Sequence, residues 1–363
     1  MAGMKKLLSN AVTRKNMITY LVVTVGFVIM QTLASLGMLG SAMKGYLVPL
    51  CAYIVLAISL NLLVGVCGEL SLGHAGFMGI GAFTGIVISA VLQPVIPSDV
   101  LRLVIAMFCG GIMAGLFGFL IGIPALRLRG DYLAIVTLAF GEILKNIIGN
   151  LYLGMDAEGL HVSAVSAKFQ LLEGGKMLLD GPVGATGINK ISSFAMGYVL
   201  ILFTLFVVLN LINSKEGRAI KAVRDNRIAA ESVGINVTTF RMKAFVVSAF
   251  LAGMAGVLFG LNMSSLAPSK FNFNTSINIL VFVVLGGMGN ILGSIISATV
   301  LYILPEAMRE LEDYRMILYA IVLIVVMLAT WSPKFKSFLD ATSATIKDKI
   351  AKLFKKKEVT HHG

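Results

Sequence analysis

The sequence predicts an all-α protein that crosses a lipid bilayer several times. Of its 363 residues, 57% are hydrophobic and only 13% are charged, whereas a soluble domain carries roughly 25% charged residues. The mean hydropathy of the chain is +0.90. Its apolar residues form long uninterrupted runs, which suit membrane-spanning helices, whereas the strands of a membrane barrel alternate apolar and polar residues. These observations indicate an integral membrane protein in contact with the lipid bilayer.

Eight apolar runs are long enough to cross the bilayer, since a spanning helix needs about 20 apolar residues. They cover residues 17–40, 46–66, 76–92, 103–125, 132–153, 191–212, 244–264 and 316–331. A ninth apolar segment, 277–304, is interrupted by several glycines. We therefore expect about eight transmembrane helices plus one glycine-broken segment that either re-enters the membrane or forms two short spans. The polar segment 154–190 is expected to be an external loop.

Basic residues indicate how the spans are oriented. The net charge of +12 is concentrated in residues 1–16, in the segment 214–243 and in the tail 332–363. Basic flanks of spans stay in the cytoplasm. The six spans between residues 1–16 and the segment 214–243 are an even number, so both of these regions lie on the cytoplasmic side. The charge is thus a topological signal rather than a nucleic-acid footprint. Residues 17–331 form the transmembrane domain between a cytoplasmic N-terminal segment and a basic cytoplasmic tail.

The segment 214–243 is the only long, strongly charged stretch between apolar runs. Residues 219–233 are good helix formers without proline, and Gly234 is placed to end that helix. Three basic residues at every third position make a stripe along it: Arg218, Lys221 and Arg224. The segment is therefore either a solvated loop that sets the topology or a helix that docks on a partner protein.

Glycine is unusually dense in residues 65–85 and 286–293. Broken helices at corresponding places in two halves of a chain point to a transport site, because freed backbone groups at membrane depth must be buried in protein or face water. Tight helix packing through small residues is the competing explanation for the individual glycines. The candidate translocation-path residues are Ser71, Gly73, His74, Gly76, Gly286, Gly287, Gly289 and Asn290.

Three ionisable residues lie inside or beside apolar runs. Glu142 and Lys145 are three residues apart and share one helix face, and each charge at the centre of the membrane costs about 2.5–3.5 kcal/mol. We expect them to face the protein interior as an ion pair that fixes packing, with substrate gating as the alternative. His74 could have a functional role, as a proton carrier or a ligand. The more common role of such a histidine is that of a structural hydrogen-bonding group.

Three stretches of the chain resemble a known family. Residues 69–82 (ELSLGHAGFMGIGA) are similar to the signature of the branched-chain amino acid permeases of ABC importers. The likeness is to the larger, M-type subunit of the high-affinity systems that take up leucine, isoleucine and valine. Residues 126–138 (LRLRGDYLAIVTL) and 285–293 (LGGMGNILG) resemble the same subunit. The resemblance covers most of residues 46–331 and implies the ABC importer permease fold.

The charged segment resembles the cytoplasmic EAA coupling loop of such permeases in residues 216–220 and 229–234. The general pattern puts the glutamate first and the glycine four residues later. Here Glu231 follows two alanines, and Gly234 comes three residues after it. The resemblance implies an ATPase-coupling role for Gly217, Arg218, Arg224, Asp225, Ala229, Ala230, Glu231 and Gly234.

The resemblance also implies a set of partners. The chain has no GxxxxGKS/T motif for binding ATP, so ATP and Mg²⁺ are expected on two separate ATPase subunits, with no cofactor in this chain. A second, shorter, related permease and a periplasmic amino-acid-binding protein complete the implied complex. The chain is then a transporter subunit and not an enzyme. It belongs in the bacterial inner membrane with both termini in the cytoplasm.

Two alternatives follow from the residues. The first is the same machine carrying urea or another small polar solute, since such permeases are very similar in sequence. The second is an ion-driven secondary carrier acting alone, which needs titratable groups in the membrane, and only Glu142, Lys145 and His74 qualify. The absence of HExxH, GxSxG and clustered carboxylates argues against a membrane-embedded enzyme. The three cysteines lie in apolar runs without metal-ligand spacing, so no metal site is expected.

Overall fold

The structure, a computed structural model, describes residues 11–38, 40–128, 130–156, 159–163 and 175–307, and beyond them only residues 317, 320, 321 and 324. The described parts are mainly helical and include seven helices long and apolar enough to cross a membrane. Seven of the eight predicted spans are therefore confirmed. The eighth, 316–331, lies outside the described residues except for those four positions, and the basic tail lies outside them entirely.

Long helices make up most of the described chain. They are α1 (Ala11–Ser35), α2 (Ser41–Asn61), α3 (His74–Leu92), α4 (Asp99–Ala125), α5 (Asp131–Gly149), α6 (Phe194–Asn213) and α9 (Val237–Gly260). A π-helix, Leu62–Cys67, continues α2. The shorter helices are α7 (Lys215–Asp225), α8 (Arg227–Ser232), α10 (Phe273–Gly286) and α11 (Ile291–Ala307), with 3-10 turns at Gly181–Val183 and Pro268–Lys270.

Helix α9 packs closely against α3 and α4 to form the core. A Cβ added to Gly81 of α3 would lie 2.1 Å from the carbonyl oxygen of Gly253 in α9. A Cβ added to Gly256 would lie 2.0 Å from the carbonyl oxygen of Met78. Such distances leave no room for a side chain, so the helix backbones touch. The helical glycines of α3 and α9 are therefore packing residues.

Both predicted helix breaks are present, but the first, expected over residues 68–81, covers only residues 68–73, because residues 74–81 belong to α3. Residues 68–73 are not helical, and they separate the π-helix from α3. Helix α10 ends at Gly286 and α11 begins at Ile291. Gly287 and Gly289 between them have φ values of 89° and 83°, which glycine adopts without a steric penalty. With 14 residues, α10 is about 21 Å long, which is shorter than a bilayer core of about 30 Å.

The segment predicted to be an external loop holds short strands. Strands β1 (Tyr152–Asp156), β2 (Gly159–Ser163) and β3 (Lys176–Asp180) form an antiparallel sheet in the order β2-β1-β3. Strand β4 (Ala185–Thr186) pairs with β5 (Ser265–Leu266). Helix α5 therefore ends at Gly149 and not at residue 153, because the chain turns at Asn150 into β1.

The charged segment forms two helices and the start of a third, and the prediction of one continuous helix over 219–233 is wrong. Asn226 has extended backbone, and its side chain accepts a hydrogen bond from the N–H of Ala229, so it caps α8. The expected end at Gly234 is confirmed. Its N–H donates to Glu231 and the next N–H donates to Ala230, each at 3.0 Å, and its φ is 85°. Asn236 then caps α9, so that span begins before residue 244.

Candidate functional site

The charged helix α7 is hydrogen-bonded to the first glycine cluster. Arg224, near the end of α7, donates from Nη1 to the carbonyl oxygen of Gly65 in the π-helix at 2.9 Å. Its alkyl part lies over Gly68, where an added Cβ would be 2.6 Å from Arg224 Cγ. The carboxylate of Asp225 lies 2.8 Å from Nη2 of the same guanidinium. A residue expected to couple to a partner thus contacts the segment that leads into the expected path.

The first glycine cluster in turn contacts the second. Asn61, the last residue of α2, is completely buried, and its Oδ1 accepts a hydrogen bond from the N–H of Gly289 at 2.7 Å. Its Nδ2 donates to Ser294 Oγ at 2.7 Å. A Cβ added to Gly65 would lie 2.1 Å from the nitrogen of Gly289. The structure therefore joins Arg224, Gly65 and Gly289 in one chain of contacts, which we call the relay.

Gly65 lies in the last turn of the π-helix, where helix carbonyls have no partner within the helix, so its carbonyl oxygen can accept a hydrogen bond from Arg224. A π-helix is a wide, uncommon turn that often marks a functional site. All of its residues here are buried, and it ends at Gly68, whose φ of 78° lies in the left-handed region. Since neither Gly65 nor Gly68 has a side chain, the guanidinium reaches the backbone directly. Asn61 and the π-helix are the parts of the relay that the sequence analysis missed. An amide side chain inside an apolar run was the available signal.

Two of the predicted path residues in the first cluster, Gly73 and Gly76, pack on α5. A Cβ added to Gly73 would lie 2.3 Å from the carbonyl oxygen of Thr137, and one added to Gly76 would lie 2.8 Å from Gly141 Cα. The N–H of Leu72 donates to Thr137 Oγ1 at 3.1 Å. This half of the cluster is therefore held against a neighbouring helix.

In the second cluster, the end of α10 and the start of α11 lie very close together. A Cβ added to Gly286 would lie 2.5 Å from Ser294 Cα. Between the helices, the N–H of Asn290 donates to the carbonyl oxygen of Gly287 at 3.0 Å and closes the turn. The hairpin thus presents Gly289 at its tip to the π-helix.

His74 is a buried hydrogen-bonding residue. Its Nε2 lies 2.8 Å from Ser59 Oγ, and Ser59 Oγ donates to the carbonyl oxygen of Leu56 at 2.9 Å. Nε2 therefore acts as the donor to Ser59. This geometry favours the structural role over proton carriage. Nearby Ser71 Oγ is buried and has no hydrogen-bond partner among the described residues.

Glu142 and Lys145 form an ion pair within α5. Glu142 Oε1 also accepts a hydrogen bond from the N–H of Phe273 at 3.1 Å. Phe273 is the first residue of α10, so the carboxylate complements the positive end of that helix. The pair therefore anchors the start of the broken hairpin, a connection that sequence reasoning did not find.

A second ion pair stabilises the non-helical stretch after the π-helix. Arg241 of α9 is 4% exposed, and its Nε lies 2.5 Å from Glu69 Oε1. Its Nη1 donates to the carbonyl oxygen of Leu126 at 2.9 Å. Burial raises the pKa of Glu69, and the hydrogen bond and positive charge of Arg241 oppose that shift. This pair ties residues 68–73 to the ends of α4 and α9.

Helix α8 presents exposed aliphatic side chains. Ile228 is 80% exposed and Val233 is 74% exposed, whereas Ala230 on the other face is buried with Val223 and Val237. Glu231 pairs with Arg227 at 2.9 Å on the exposed surface. A short helix with an apolar outer face is suited to contact another protein. The exposed Ile228 was not among the predicted coupling residues.

The other predicted coupling residues lie at the start of α7 and in α8. Gly217 packs against the end of α6, where an added Cβ would be 2.1 Å from the carbonyl oxygen of Leu211. Arg218 is exposed and donates to Asn213 at 3.5 Å. Ala229 provides the N–H that Asn226 caps. Thus α7 is attached to α6 at one end and to the π-helix at the other.

The helices of spanning length indicate a multi-pass membrane protein, and helices broken at the two glycine clusters are typical of transporters. The family described as "Branched-chain amino acid transport system / permease component" matches residues 42–327. The chain belongs to this family. The resemblance drawn from residues 69–82, 126–138 and 285–293 is therefore confirmed.

Individual relatives agree with the family assignment. The high-affinity branched-chain amino acid transport system permease protein LivM of Salmonella typhimurium is 34% identical over 292 residues, which are 78% of this chain and 67% of the relative. The corresponding LivH protein of the same organism is 26% identical over 279 residues, 76% of this chain and 88% of the relative. The ribose import permease protein RbsC of Haemophilus influenzae is 29% identical over 217 residues, 53% of this chain and 66% of the relative. No solved structure matches the chain.

Proposed function

We propose that the chain is the M-type permease subunit of an ATP-driven importer of branched-chain amino acids in a bacterial inner membrane. The family and the identity to LivM support the permease role and the solute class. The observation that carries the coupling mechanism is the hydrogen bond from Arg224 to the Gly65 carbonyl oxygen. It links the segment expected to face the ATPases with the segment expected to line the path.

The docking face for an ATPase is the outer surface of α8 and the loop after it. Ile228 and Val233 supply exposed apolar contacts, and Glu231 and Arg227 supply charges beside them. Such a mixture of apolar and charged groups is typical of protein interfaces. ATP and Mg²⁺ bind to the ATPases and not to this chain.

Movement of the ATPases reaches the path through the relay. A rigid shift of α7 carries Arg224 and, through its hydrogen bond, the π-helix. The π-helix contacts Gly289 at the tip of the hairpin, so the two glycine-broken segments move against each other. A transporter alternates between two arrangements of such elements, and the ATPases change the populations of the two.

The complex contains further subunits. Relatives of both the LivM and the LivH type support a second, related permease beside this one. Two ATPases dock on the cytoplasmic side, and a periplasmic amino-acid-binding protein delivers the solute to the opposite side. In this orientation both termini and the segment 214–243 are cytoplasmic, and the small sheets lie outside.

Co-purification followed by transport tests this function. Tagged protein is extracted gently from its own membrane, and the proteins that accompany it are identified by mass spectrometry. We expect an ATPase and a second permease, and reconstituted complex should take up leucine in an ATP-dependent manner. Uptake of urea but not of leucine would show that the importer carries a small polar solute and not branched-chain amino acids. Leucine uptake driven by an ion gradient without any ATPase would overturn the importer assignment.

A further inference from the structure

A cavity of about 400 Å³ opens where α9 ends and α10 begins. Its floor is aromatic and apolar. The ring of Tyr53 meets the ring of Phe259 edge-on with centroids 6.1 Å apart, and Phe259 meets Phe271 edge-on at 6.4 Å. Met78 completes this floor. Tyr53 lies midway along α2, so the cavity extends to the middle of a membrane-spanning helix.

The rim of the cavity is polar and carries one cation. Lys270, Ser269 and Asn274 line it and are exposed. Among the described residues, no carboxylate forms an ion pair with Lys270. The nearby acid Glu142 is already paired with Lys145. The cavity therefore combines an apolar floor with an uncompensated positive charge at its mouth.

The start of α10 also borders the cavity, but its backbone donors have partners. The N–H of Phe273 donates to Glu142, and the N–H of Thr275 donates to the side chain of Asn272 at 3.1 Å. An anionic group entering the cavity therefore finds its counter-charge at Lys270 and not at the end of the helix.

We propose that this cavity is the solute-binding site of the permease and that its ligand class is a zwitterionic α-amino acid with an apolar side chain. The carboxylate binds at the Lys270 ammonium, and the apolar side chain lies on the rings of Tyr53, Phe259 and Phe271. The ammonium group of the ligand is bound by the side-chain oxygens of Ser269 and Asn274. Urea has neither a carboxylate nor an apolar side chain, so it leaves both the cation and the floor without a partner. This inference rests on the proposed function and specifies where the solute binds.

Cysteine protection tests the site in the assembled complex. Ser269→Cys places a thiol of nearly the same size on the rim, and its reaction rate with a maleimide is measured with and without leucine. Cys51 and Cys67 are buried and Cys109 is half-buried, so the unsubstituted chain gives the background. At about ten times its dissociation constant, leucine should slow the labelling about tenfold, whereas urea should not. Ser264→Cys, exposed on the same connection but outside the cavity, is the matched control, and leucine should not change its labelling.

The role of Lys270 is tested in the Ser269→Cys background. Lys270→Ala should raise the leucine concentration for half-protection about tenfold, since a charged hydrogen bond is lost. Lys270→Arg should restore protection to within about threefold. The probe 3-methylbutylamine, which is leucine without its carboxylate, should protect weakly and equally with or without Lys270. If Lys270 had only a structural role, Lys270→Ala would weaken protection by leucine and by 3-methylbutylamine to the same extent. That result would overturn the assignment.

The outcomes separate this site from the proposed function. If the Ser269→Cys complex imports leucine but leucine leaves its labelling unchanged, the cavity is not the solute site and the function stands. Protection by urea and not by leucine would refute the ligand class. If the complex imports no leucine and leucine does not protect, both the function and the site are wrong.

Discussion

Glycines bring backbones together in two regions of this protein, and the two regions are built differently. In the core, Gly81 and Gly256 lie inside continuous helices, and their neighbours across the contact are backbone atoms of other continuous helices. At the relay, Gly65 and Gly289 lie in a π-helix and in a turn between helices. There the contact is held by the Asn61 side chain and by Arg224.

The difference shows which contact is suited to move. Core helices in contact along several turns shift only if many contacts break together. The relay depends on a few hydrogen bonds beside non-helical backbone, which exchange between discrete arrangements at lower cost. We therefore expect substitutions in the core to reduce stability and uptake together, and substitutions in the relay to reduce uptake beyond their effect on stability.

Substitution in the core should have the largest effect on stability. Gly256→Ala places a Cβ 2.0 Å from the Met78 carbonyl oxygen, and overpacking against backbone should cost about 3 kcal/mol. Thermal unfolding in detergent and the yield of folded protein measure this. The matched control is Gly26→Ala in α1, where an added Cβ meets nothing within 4 Å. An equally stable Gly256→Ala protein would contradict the close packing of α9 on α3.

Removing the amide that joins the two broken segments should have the next largest effect. Asn61→Ala leaves the Gly289 N–H and Ser294 Oγ without their buried partner, at a cost of about 2 kcal/mol. Uptake should fall further than this loss of stability explains. Asn189→Ala, which removes an exposed hydrogen bond to Gln93, serves as the control. If uptake by Asn61→Ala falls only in proportion to the amount of folded protein, the relay does not differ from the core in its role in transport.

Arg224 tests the relay with little change in stability. In the complex, Arg224→Ala should lower uptake about tenfold, equivalent to about 1.4 kcal/mol, while ATP hydrolysis continues, because α7 no longer holds the Gly65 carbonyl. Arg224→Lys, with a single ammonium in place of the planar guanidinium, should be intermediate. Uptake and hydrolysis are measured on the same preparation, with the exposed Arg127→Ala as control. Unchanged uptake would reduce the charged segment to a topological signal.

Glu142 should have the smallest effect. Glu142→Ala removes both the ion pair with Lys145 and the acceptor for the Phe273 N–H. Since both side chains are partly exposed, the loss of stability should be about 1 kcal/mol. Glu142→Gln retains an oxygen acceptor for the Phe273 N–H, so its loss of stability should be about half as large. A stable variant with altered solute preference would show that the pair gates the path and does not only anchor the hairpin.

The spans and the helix breaks were predictable because they depend on local composition. A run of about 20 apolar residues has few other stable placements than a membrane-spanning helix. Gly68 and Gly73 at the first break and Gly287 and Gly289 at the second lack the side chains that favour continuous helix, whereas Gly76 and Gly81 lie within α3. Motif resemblance added the family, and with it the expectation that the segment 214–243 couples to ATPases.

Other features depended on strand pairing and helix capping that the sequence pattern does not show. The strands of the segment 154–190 are at most five residues long, and one of them, β4, pairs with the distant strand β5 through Ala185 and Leu266. The break at Asn226 reflects an N-cap within an otherwise helical sequence. Sequence reasoning placed Arg224 in the coupling segment and Gly289 in the path, but it contained nothing to join them.

The amino-acid sequence by itself determined that this is a multi-pass helical membrane protein, where most of its helices run, and to which family it belongs. These properties follow from hydrophobicity, helix propensity and contiguous motifs, which are read along the chain. Only the tertiary structure decided that Arg224 reaches Gly65, that Asn61 holds Gly289, and that Lys270 lies above an aromatic floor. Those contacts join residues as much as 228 positions apart, and packing of whole helices determines which of their side chains and backbone groups meet.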